Sequence, residues 1–295
     1  MFKSAVVDIN VTGECNLTCR YCFGELSSKP GISKTAFQSA LALANHVEAT
    51  SIELCGGEPL LYNHFDWAVE LARSQGFQLI LRTNALLLPE KRSFVLQHFD
   101  AVGISLDGDA KTNHQMRPES TMFPISAEDK FSIPLREINK LRSARQDLRI
   151  ILASVATKIN IDGLKALAKI VVQTAPPADL WKIYQFVPNH FRAKRNEACF
   201  KLSNEEFVIL RHDMEAIIGP SIELSFRNSE TVDGSCLIVD STGGVRIGAN
   251  TIGNVTKDSL STLSEALSMT GAQGKIEENK RQTYRKEITR PVDDR

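Results

Sequence analysis

Three cysteines, Cys15, Cys19 and Cys22, lie within eight positions in the segment GECNLTCRYCFGE. A structural zinc site needs four ligands, but this segment supplies three thiols, and the next histidines, His46 and His64, have no paired spacing. Three thiolates suit a [4Fe-4S] cluster in which one iron keeps an open position. Because an open position is typical of catalytic metal sites, the spacing predicts a catalytic iron-sulfur centre.

Residues that could bind a ligand also stand at the ends of three later segments that have the composition of buried strands. They are Gly56, Gly57, Glu58 and Pro59 after SIELC, Thr83 and Asn84 in QLILRTN, and Ser105 in AVGIS. Glycines let a backbone approach a ligand closely, and a carboxylate can pair with an ammonium group. Ser, Thr, Asn and Asp at strand ends also form turns and helix caps, and Asp107 fits that alternative equally well.

Strand-like and helix-like segments alternate through the first two-thirds of the chain. The helices are predicted to begin after Ser33, to stop at Gly76, to begin again near Pro89 and to include PLREINKLRSARQ. Near-continuous apolar strands between amphipathic helices predict a parallel sheet covered on its outer face. Six such units predict an α/β fold, a partial (β/α)6 barrel with its chemistry at the carboxyl ends of the strands. A doubly wound open sheet is the alternative.

The pattern changes after residue 190. Residues 1–190 are interpreted as the barrel, and residues 191–270 as a short α+β C-terminal extension packed on it. The extension contains a predicted helix with a capping box at Ser203 and Glu206, and a hairpin turned at STGG. Residues 271–295 are dense in both charges and are expected to be a charged, partly disordered tail.

Composition narrows the choice of partners and compartment. The chain has 35 basic and 35 acidic residues, so net charge does not indicate a nucleic acid partner. No apolar run approaches the ~18 residues of a membrane span. The start, MFKSAVVDIN, lacks the apolar region of a signal peptide, so we expect a cytoplasmic protein with reduced thiols.

The cysteine segment matches the pattern C-x-x-x-C-x-φ-C, in which φ is aromatic and is Tyr21 here. With this pattern the sequence resembles the radical S-adenosylmethionine (radical SAM) superfamily. The resemblance implies that Cys15, Cys19 and Cys22 hold one [4Fe-4S] cluster and that the amino and carboxylate groups of SAM chelate its open iron. It further implies reductive cleavage of SAM to a 5′-deoxyadenosyl radical, which abstracts hydrogen from a substrate.

The same resemblance assigns the strand-end residues to SAM. The superfamily has a GGEP turn beside the methionine amino group, a Thr/Ser-Asn-Gly segment after the third strand and a hydroxyl after the fourth. These features match the turn at residues 56–59, the pair Thr83-Asn84 and Ser105. The chain departs from the pattern at Ala85, where the superfamily usually has glycine.

Later motifs resemble viperin-like members, which convert a nucleoside triphosphate into its 3′-deoxy-3′,4′-didehydro form. The matches are WKIYQFVPN from Trp181 to Asn189, the pair Glu206-Phe207, and LIVD at residues 237–240. The phosphate-binding lysines of viperins are not matched in place, because FGELSSKPG and ILASVATKIN replace their motifs. Cations that could bind a triphosphate are Arg117 and Lys182, which are best placed, and Lys29, Lys158 and Arg246.

The substrate is expected to be a small molecule. Cys55, Cys199 and Cys236 are too dispersed for a second cluster, which disfavours many peptide-modifying members. A viperin-like dehydratase and a modifier of a ribosomally made peptide remain alternatives, and a reductant such as a flavodoxin or ferredoxin is implied. Two non-enzymatic alternatives are a zinc-stabilised or redox-sensing binding module and a degenerate member acting as an interaction protein.

Overall fold

One mixed β-sheet organises the part of the chain that the computed structural model describes, residues 5–22, 24, 31–119, 124–174, 178–188, 191–232, 236–248 and 250–274. Its strands are β1 (Val6–Thr12), β2 (Ser51–Gly56), β3 (Gln78–Thr83), β4 (Ala101–Ser105), β5 (Arg149–Ala156), β6 (Leu180–Gln185), β7 (Glu223–Arg227), β8 (Leu237–Val239), β9 (Gly244–Ile247) and β10 (Asn250–Asn254). Their order is β10-β9-β8-β1-β2-β3-β4-β5-β6-β7. All neighbours from β8 through β1 to β7 are parallel, whereas β8, β9 and β10 pair antiparallel.

Helices lie between and after the strands, and most of them contribute apolar side chains to one main core. They are α1 (Lys34–His46), α2 (Phe65–Ser74), α3 (Leu88–His98), α4 (Ala110–Met116), α5 (Asp129–Ala144), α6 (Ile161–Gln173), α7 (Phe191–Arg195), α8 (Glu197–Phe200), α9 (Asn204–Ile218), α10 (Ser229–Val232) and α11 (Leu260–Met269). Two 3₁₀ turns cover Pro59–Leu61 and Gly219–Ser221. The predicted α/β barrel-type fold is confirmed. None of the described helices is both long and apolar enough to cross a bilayer.

The sheet has two faces of different character because side chains alternate along each strand. Val7, Ile9 and Val11 of β1 pack with Phe37 and Leu41 of α1 in the main core. The opposite face is called the lumen face here. Near the amino ends of its strands lies a small apolar cluster, called the apolar floor. That floor consists of Val6, Ile80, Ala101, Ile151 and Leu180.

Local sequence signals explain the starts of two helices. Ser33 accepts a hydrogen bond from the Ala36 amide at the start of α1, and Ser203 and Glu206 form the predicted capping box of α9. The predicted hairpin at STGG is the turn between β8 and β9.

The helix predicted near PLREINKLRSARQ is α5, which begins at Asp129 and contains Pro134 in its interior. A proline has no N–H to offer the carbonyl of the residue four positions earlier, which is Lys130. That carbonyl accepts a hydrogen bond from Asn113 Nδ2 at 3.0 Å instead. A long-range contact therefore satisfies the group that a proline leaves open.

Candidate active site

The three predicted metal-binding cysteines lie in the loop that leaves the carboxyl end of β1. Backbone amides donate to two of the sulfurs, Leu17 N–H to Cys15 Sγ at 3.4 Å and Gly24 N–H to Cys22 Sγ at 3.3 Å. The Cys22 amide donates to the Cys19 carbonyl, which folds the loop back on itself. Amide donors of this kind stabilise negative charge on sulfur.

Electrostatics around these thiols favours a positively charged centre between them. Burial, assisted by the proximity of Cys19, raises the pKa of Cys15 to about 12. Burial also raises the pKa of Cys22, again assisted by Cys19. Three neighbouring thiolates therefore need a compensating cation, which a metal centre supplies.

Within the described ranges, no three His, Cys, Asp or Glu side chains converge tightly enough to bind one ion. A four-iron cluster distributes its thiolates over separate irons, so its ligands do not need to meet at one point. The donor set and its loop thus fit a cluster better than a single zinc ion.

Beside this loop, four buried residues form what we call the rim network: Asn16, Glu58, Thr83 and Asn84. The Glu58 carboxylate accepts hydrogen bonds from Thr83 Oγ1 at 2.7 Å, from the Asn84 amide at 2.8 Å and from the Leu60 amide at 3.3 Å. Asn84 Nδ2 donates to Asn16 Oδ1 at 2.6 Å. The network therefore joins the ends of β2 and β3 to the cysteine loop.

The charge state of Glu58 reflects its complete burial. Burial raises the pKa of Glu58 to about 7, against the opposing effect of the hydrogen bonds from Asn84 and Thr83. Its two oxygens already accept three donors from the chain, so any contact with a ligand would be additional. In the structure this carboxylate orders the two strand ends.

Two backbone positions in the network have unusual geometry. A Cβ at Gly57 would lie 2.0 Å from the Glu14 carbonyl oxygen, so only glycine lets the β2 turn approach the cysteine loop this closely. Ala85 adopts a φ of 67°, the left-handed conformation that glycine favours. The alanine thus keeps the backbone shape expected of the usual glycine, at some cost in strain.

A second set of contacts ties the cysteine loop to β4. The Tyr21 hydroxyl donates to Asp107 Oδ2, and Arg117 Nε lies 3.5 Å from the same oxygen. Arg117 also donates to the Ser105 carbonyl and lies within hydrogen-bond range of the Cys19 thiol. The aromatic position of the cysteine motif therefore anchors the loop. Asp107, which sequence reasoning ranked lower, accepts the anchoring hydrogen bond.

Charged side chains occupy the lumen face above its apolar floor, and we call Asp8, Glu53, Arg82 and Lys182 the lumen layer. Arg82 Nη2 pairs with Glu53 Oε2 at 2.9 Å. The side chain of Arg82 fills space that Gly103 leaves open, since a Cβ there would lie 2.4 Å from Arg82 Nη1. Each member of the layer has the opposite strand parity to the residues that face the helices.

Burial displaces the protonation equilibria of the lumen layer. Lys182 is 1% exposed, and burial lowers its pKa well below the usual range, assisted by repulsion from Arg82. Burial raises the pKa of Asp8 to about 8, assisted by Glu53. Such displaced equilibria are common at functional sites.

Sequence reasoning singled out only Lys182 among these four residues. A usable signal was present, because Asp8, Glu53 and Arg82 each stand at an alternate position of an otherwise apolar strand. Of the other proposed cations, Lys158 is exposed beyond the end of β5, Arg246 lies on β9, and Lys29 is outside the described residues.

Comparisons with known proteins find relatives of this chain. An S-adenosylmethionine-dependent nucleotide dehydratase from Selenomonas ruminantium is 29% identical over 161 residues, 53% of this chain and 58% of the relative. A protein of the same name from Fibrobacter sp. (strain UWH6) is 25% identical over 225 residues, 72% of this chain and 63% of the relative. These relatives confirm the predicted resemblance to the radical SAM superfamily. No family model matches it.

Structural similarity covers more of this chain than sequence similarity does. Native anSMEcpe with bound AdoMet and Cp18Cys peptide superposes with a TM-score of 0.70 at 15% identity, covering 96% of this chain and 87% of that chain. At this identity the likeness shows the fold alone, and it confirms the predicted barrel type. The chain spans less than two thirds of the length of each sequence relative, 58% and 63%. The predicted resemblance to viperin-like members is confirmed by the two nucleotide dehydratases.

Proposed function

We propose that this protein is a radical SAM enzyme that abstracts a hydrogen atom from a small molecule bound at the lumen face. The observation that carries the proposal is the contiguity of the cysteine loop, the rim network and the lumen layer on one side of the sheet. The loop and the network are joined by hydrogen bonds, and three members of the lumen layer, Asp8, Glu53 and Arg82, lie on the strands that end in them.

Cys15, Cys19 and Cys22 would hold the [4Fe-4S] cluster. The raised thiol pKa values of Cys15 and Cys22 support this assignment, because they describe donors that need a compensating positive centre. The close approach of Gly57 to the loop supports it further, since this packing fixes the loop against the end of β2. When bound, the cluster and SAM would together supply a 5′-deoxyadenosyl radical.

The rim network would bind SAM. Asn16 Nδ2 is buried and has no hydrogen-bond partner among the described residues, which leaves a donor for a polar group of a ligand. Thr83, Asn84 and Ser105 lie at the strand ends that surround this position. Glu58, held by three donors, would fix the turn that contains Gly56, Gly57 and Pro59, and its charge would favour the ammonium group of SAM.

Arg117 is better interpreted as a residue that positions the cysteine loop than as a substrate ligand. Its guanidinium contacts Asp107, the Ser105 carbonyl and Cys19, and it is 7% exposed. Lys182 keeps its proposed substrate role, because it is a buried cation on the lumen face.

A nucleotide substrate is the finer proposal, with a viperin-like dehydration of a nucleoside triphosphate as the reaction. Two relatives are named as nucleotide dehydratases, and the lumen layer contains cations that an anionic ligand would stabilise. Arg82 and Arg227 both lower the pKa of Lys182, so a bound phosphate would relieve their mutual repulsion. A one-electron reductant such as a flavodoxin or ferredoxin would serve the cluster.

The decisive experiment is anaerobic reconstitution with iron and sulfide, followed by reduction with SAM and chromatographic assay of 5′-deoxyadenosine. The assay is run with and without each ribonucleoside triphosphate. Deoxyadenosine that rises sharply with one nucleotide supports the dehydratase reading. If deoxyadenosine forms at the same rate with and without every nucleotide, the protein is still a radical SAM enzyme, but the proposed nucleotide substrate is rejected. A colourless protein that binds zinc and forms no deoxyadenosine would reject the proposal.

A further inference from the structure

Asp8 and Glu53 form a pair of carboxyl groups that the proposed reaction does not yet use. They are register partners on the adjacent parallel strands β1 and β2, so their side chains stand side by side on the lumen face. They are 9% and 7% exposed. Two neighbouring carboxyl groups removed from water cannot both ionise cheaply, so one of them retains a proton.

The surroundings decide which carboxyl group is ionised. Glu53 is paired with Arg82 at 2.9 Å. The guanidinium of Arg82 packs against Gly103, where a larger residue would displace it. The charges near Asp8 are Glu53, Arg82 and Lys182, and burial together with Glu53 outweighs the two cations. The pair is therefore asymmetric.

Other titratable groups face Asp8 from neighbouring elements. The Cys236 thiol, just before β8, lies within hydrogen-bond range of the Asp8 carboxyl, and Cys55 of β2 interacts with it electrostatically. Arg246 of β9 stands at the same register position two strands away, beyond Ile238. Any pH dependence assigned to Asp8 must be separated from these groups by substitution of Asp8 itself.

We propose that Asp8, whose neighbour Glu53 is held in the ion pair with Arg82, is the protonated member of this pair and donates its proton in a hydrogen bond to an oxygen atom of the substrate. The inference rests on the proposed function only in placing the substrate at the lumen face. A neutral carboxylic acid gives the lumen layer a donor beside its cations. The layer thus selects an oxygen-rich anionic molecule, such as a nucleotide, over analogues that lack the accepting oxygen.

Infrared difference spectroscopy tests the proton directly. The spectrum of the reconstituted wild-type protein minus that of Asp8→Asn should show one protonated carboxyl at pH 7, which disappears as the pH passes about 8. In Glu53→Gln the disappearance should move to lower pH, because a negative neighbour has been removed. A difference spectrum without a protonated carboxyl at pH 7 would overturn the proposal, whatever the substrate is.

Equilibrium dialysis with the four ribonucleoside triphosphates tests the donor. Wild-type affinity for the bound nucleotide should fall about tenfold between pH 7 and pH 9, because Asp8 loses its proton over this range. A tenfold fall corresponds to the loss of about one hydrogen bond to a charged group. Asp8→Asn keeps an N–H donor that cannot ionise, so its affinity should not show this fall. Persistence of the full pH dependence in Asp8→Asn would overturn the donor role. If no triphosphate binds the wild type, the nucleotide reading fails, and the infrared result alone decides the pair.

Discussion

The rim network and the lumen layer are both buried and polar, but they satisfy their polar groups in different ways. At the rim, Glu58 accepts two backbone amides and one hydroxyl, so each donor is fixed by the chain itself. In the lumen layer, Glu53 and Arg82 are held together by an ion pair, and the pKa values of Asp8 and Lys182 are displaced. A rim of this kind is preorganised by turns, whereas the protonation of the lumen layer depends on the charges around it.

The largest expected effect concerns the cysteine loop beside the rim. Cys19→Ala removes one of three proposed cluster ligands, so reconstituted protein should lose its iron, its brown colour and all formation of deoxyadenosine. Iron analysis and absorption spectra measure this loss. Cys236→Ala is the matched control on the lumen side and should retain the wild-type iron content. A Cys19→Ala protein that retained both iron and SAM cleavage would remove the basis of the assignment.

Glu58→Gln tests whether the rim needs a carboxylate or only an acceptor. The amide group replaces one of the two accepting oxygens by an NH₂, which faces the donor of either Thr83 or Asn84, so the free energy of unfolding should fall by about 1–3 kcal/mol. If the charge also binds the ammonium group of SAM, SAM affinity should fall at least tenfold. Chemical denaturation and dialysis with SAM measure the two effects separately. Glu70→Gln, on the exposed side of α2, is the control and should change neither.

The contrast between the two regions also explains how far the sequence could be read. The rim residues belong to turns, so Glu58, Thr83 and Asn84 are recognisable from short motifs whose order along the chain is fixed. The pairing of Asp8 with Glu53 depends on the register of two strands that are 45 residues apart. A short motif cannot encode that register. The sequence therefore predicted the barrel but not the charged pairs of its lumen layer.

Arg117 shows a related limit. Its position after β4 led to the prediction of a substrate-binding cation, but the sequence could not show which groups it contacts. Its contact with Asp107 depends on how α4 returns to the sheet. Only the folded chain shows that this cation belongs to the cysteine loop.

The lumen layer makes stability depend on pH in a specified direction. Asp8 in the native protein keeps its proton up to about pH 8, whereas its ordinary pKa is 3.8. Between these values the native state binds more protons than the unfolded state, so the free energy of unfolding decreases as the pH rises. The slope from this one group is about 1.4 kcal/mol per pH unit at most. Urea denaturation from pH 5 to 8 should therefore give a shallower decrease for Asp8→Asn than for the wild type, and equal slopes would contradict the assignment.

The smallest expected effect returns to the rim, at Ala85. Glycine there would relieve a left-handed alanine, worth about 1–2 kcal/mol, but it would also gain freedom in the unfolded chain, worth about 0.5–1 kcal/mol. Since Ala85 is fully buried, the loss of its methyl group costs about 0.8 kcal/mol more. These terms nearly cancel, so Ala85→Gly should change the free energy of unfolding by less than about 1 kcal/mol and leave SAM affinity unchanged. A much larger loss of stability, measured by urea denaturation, would mean that the Ala85 methyl group holds the rim network together, and the backbone turn alone would then not account for its geometry.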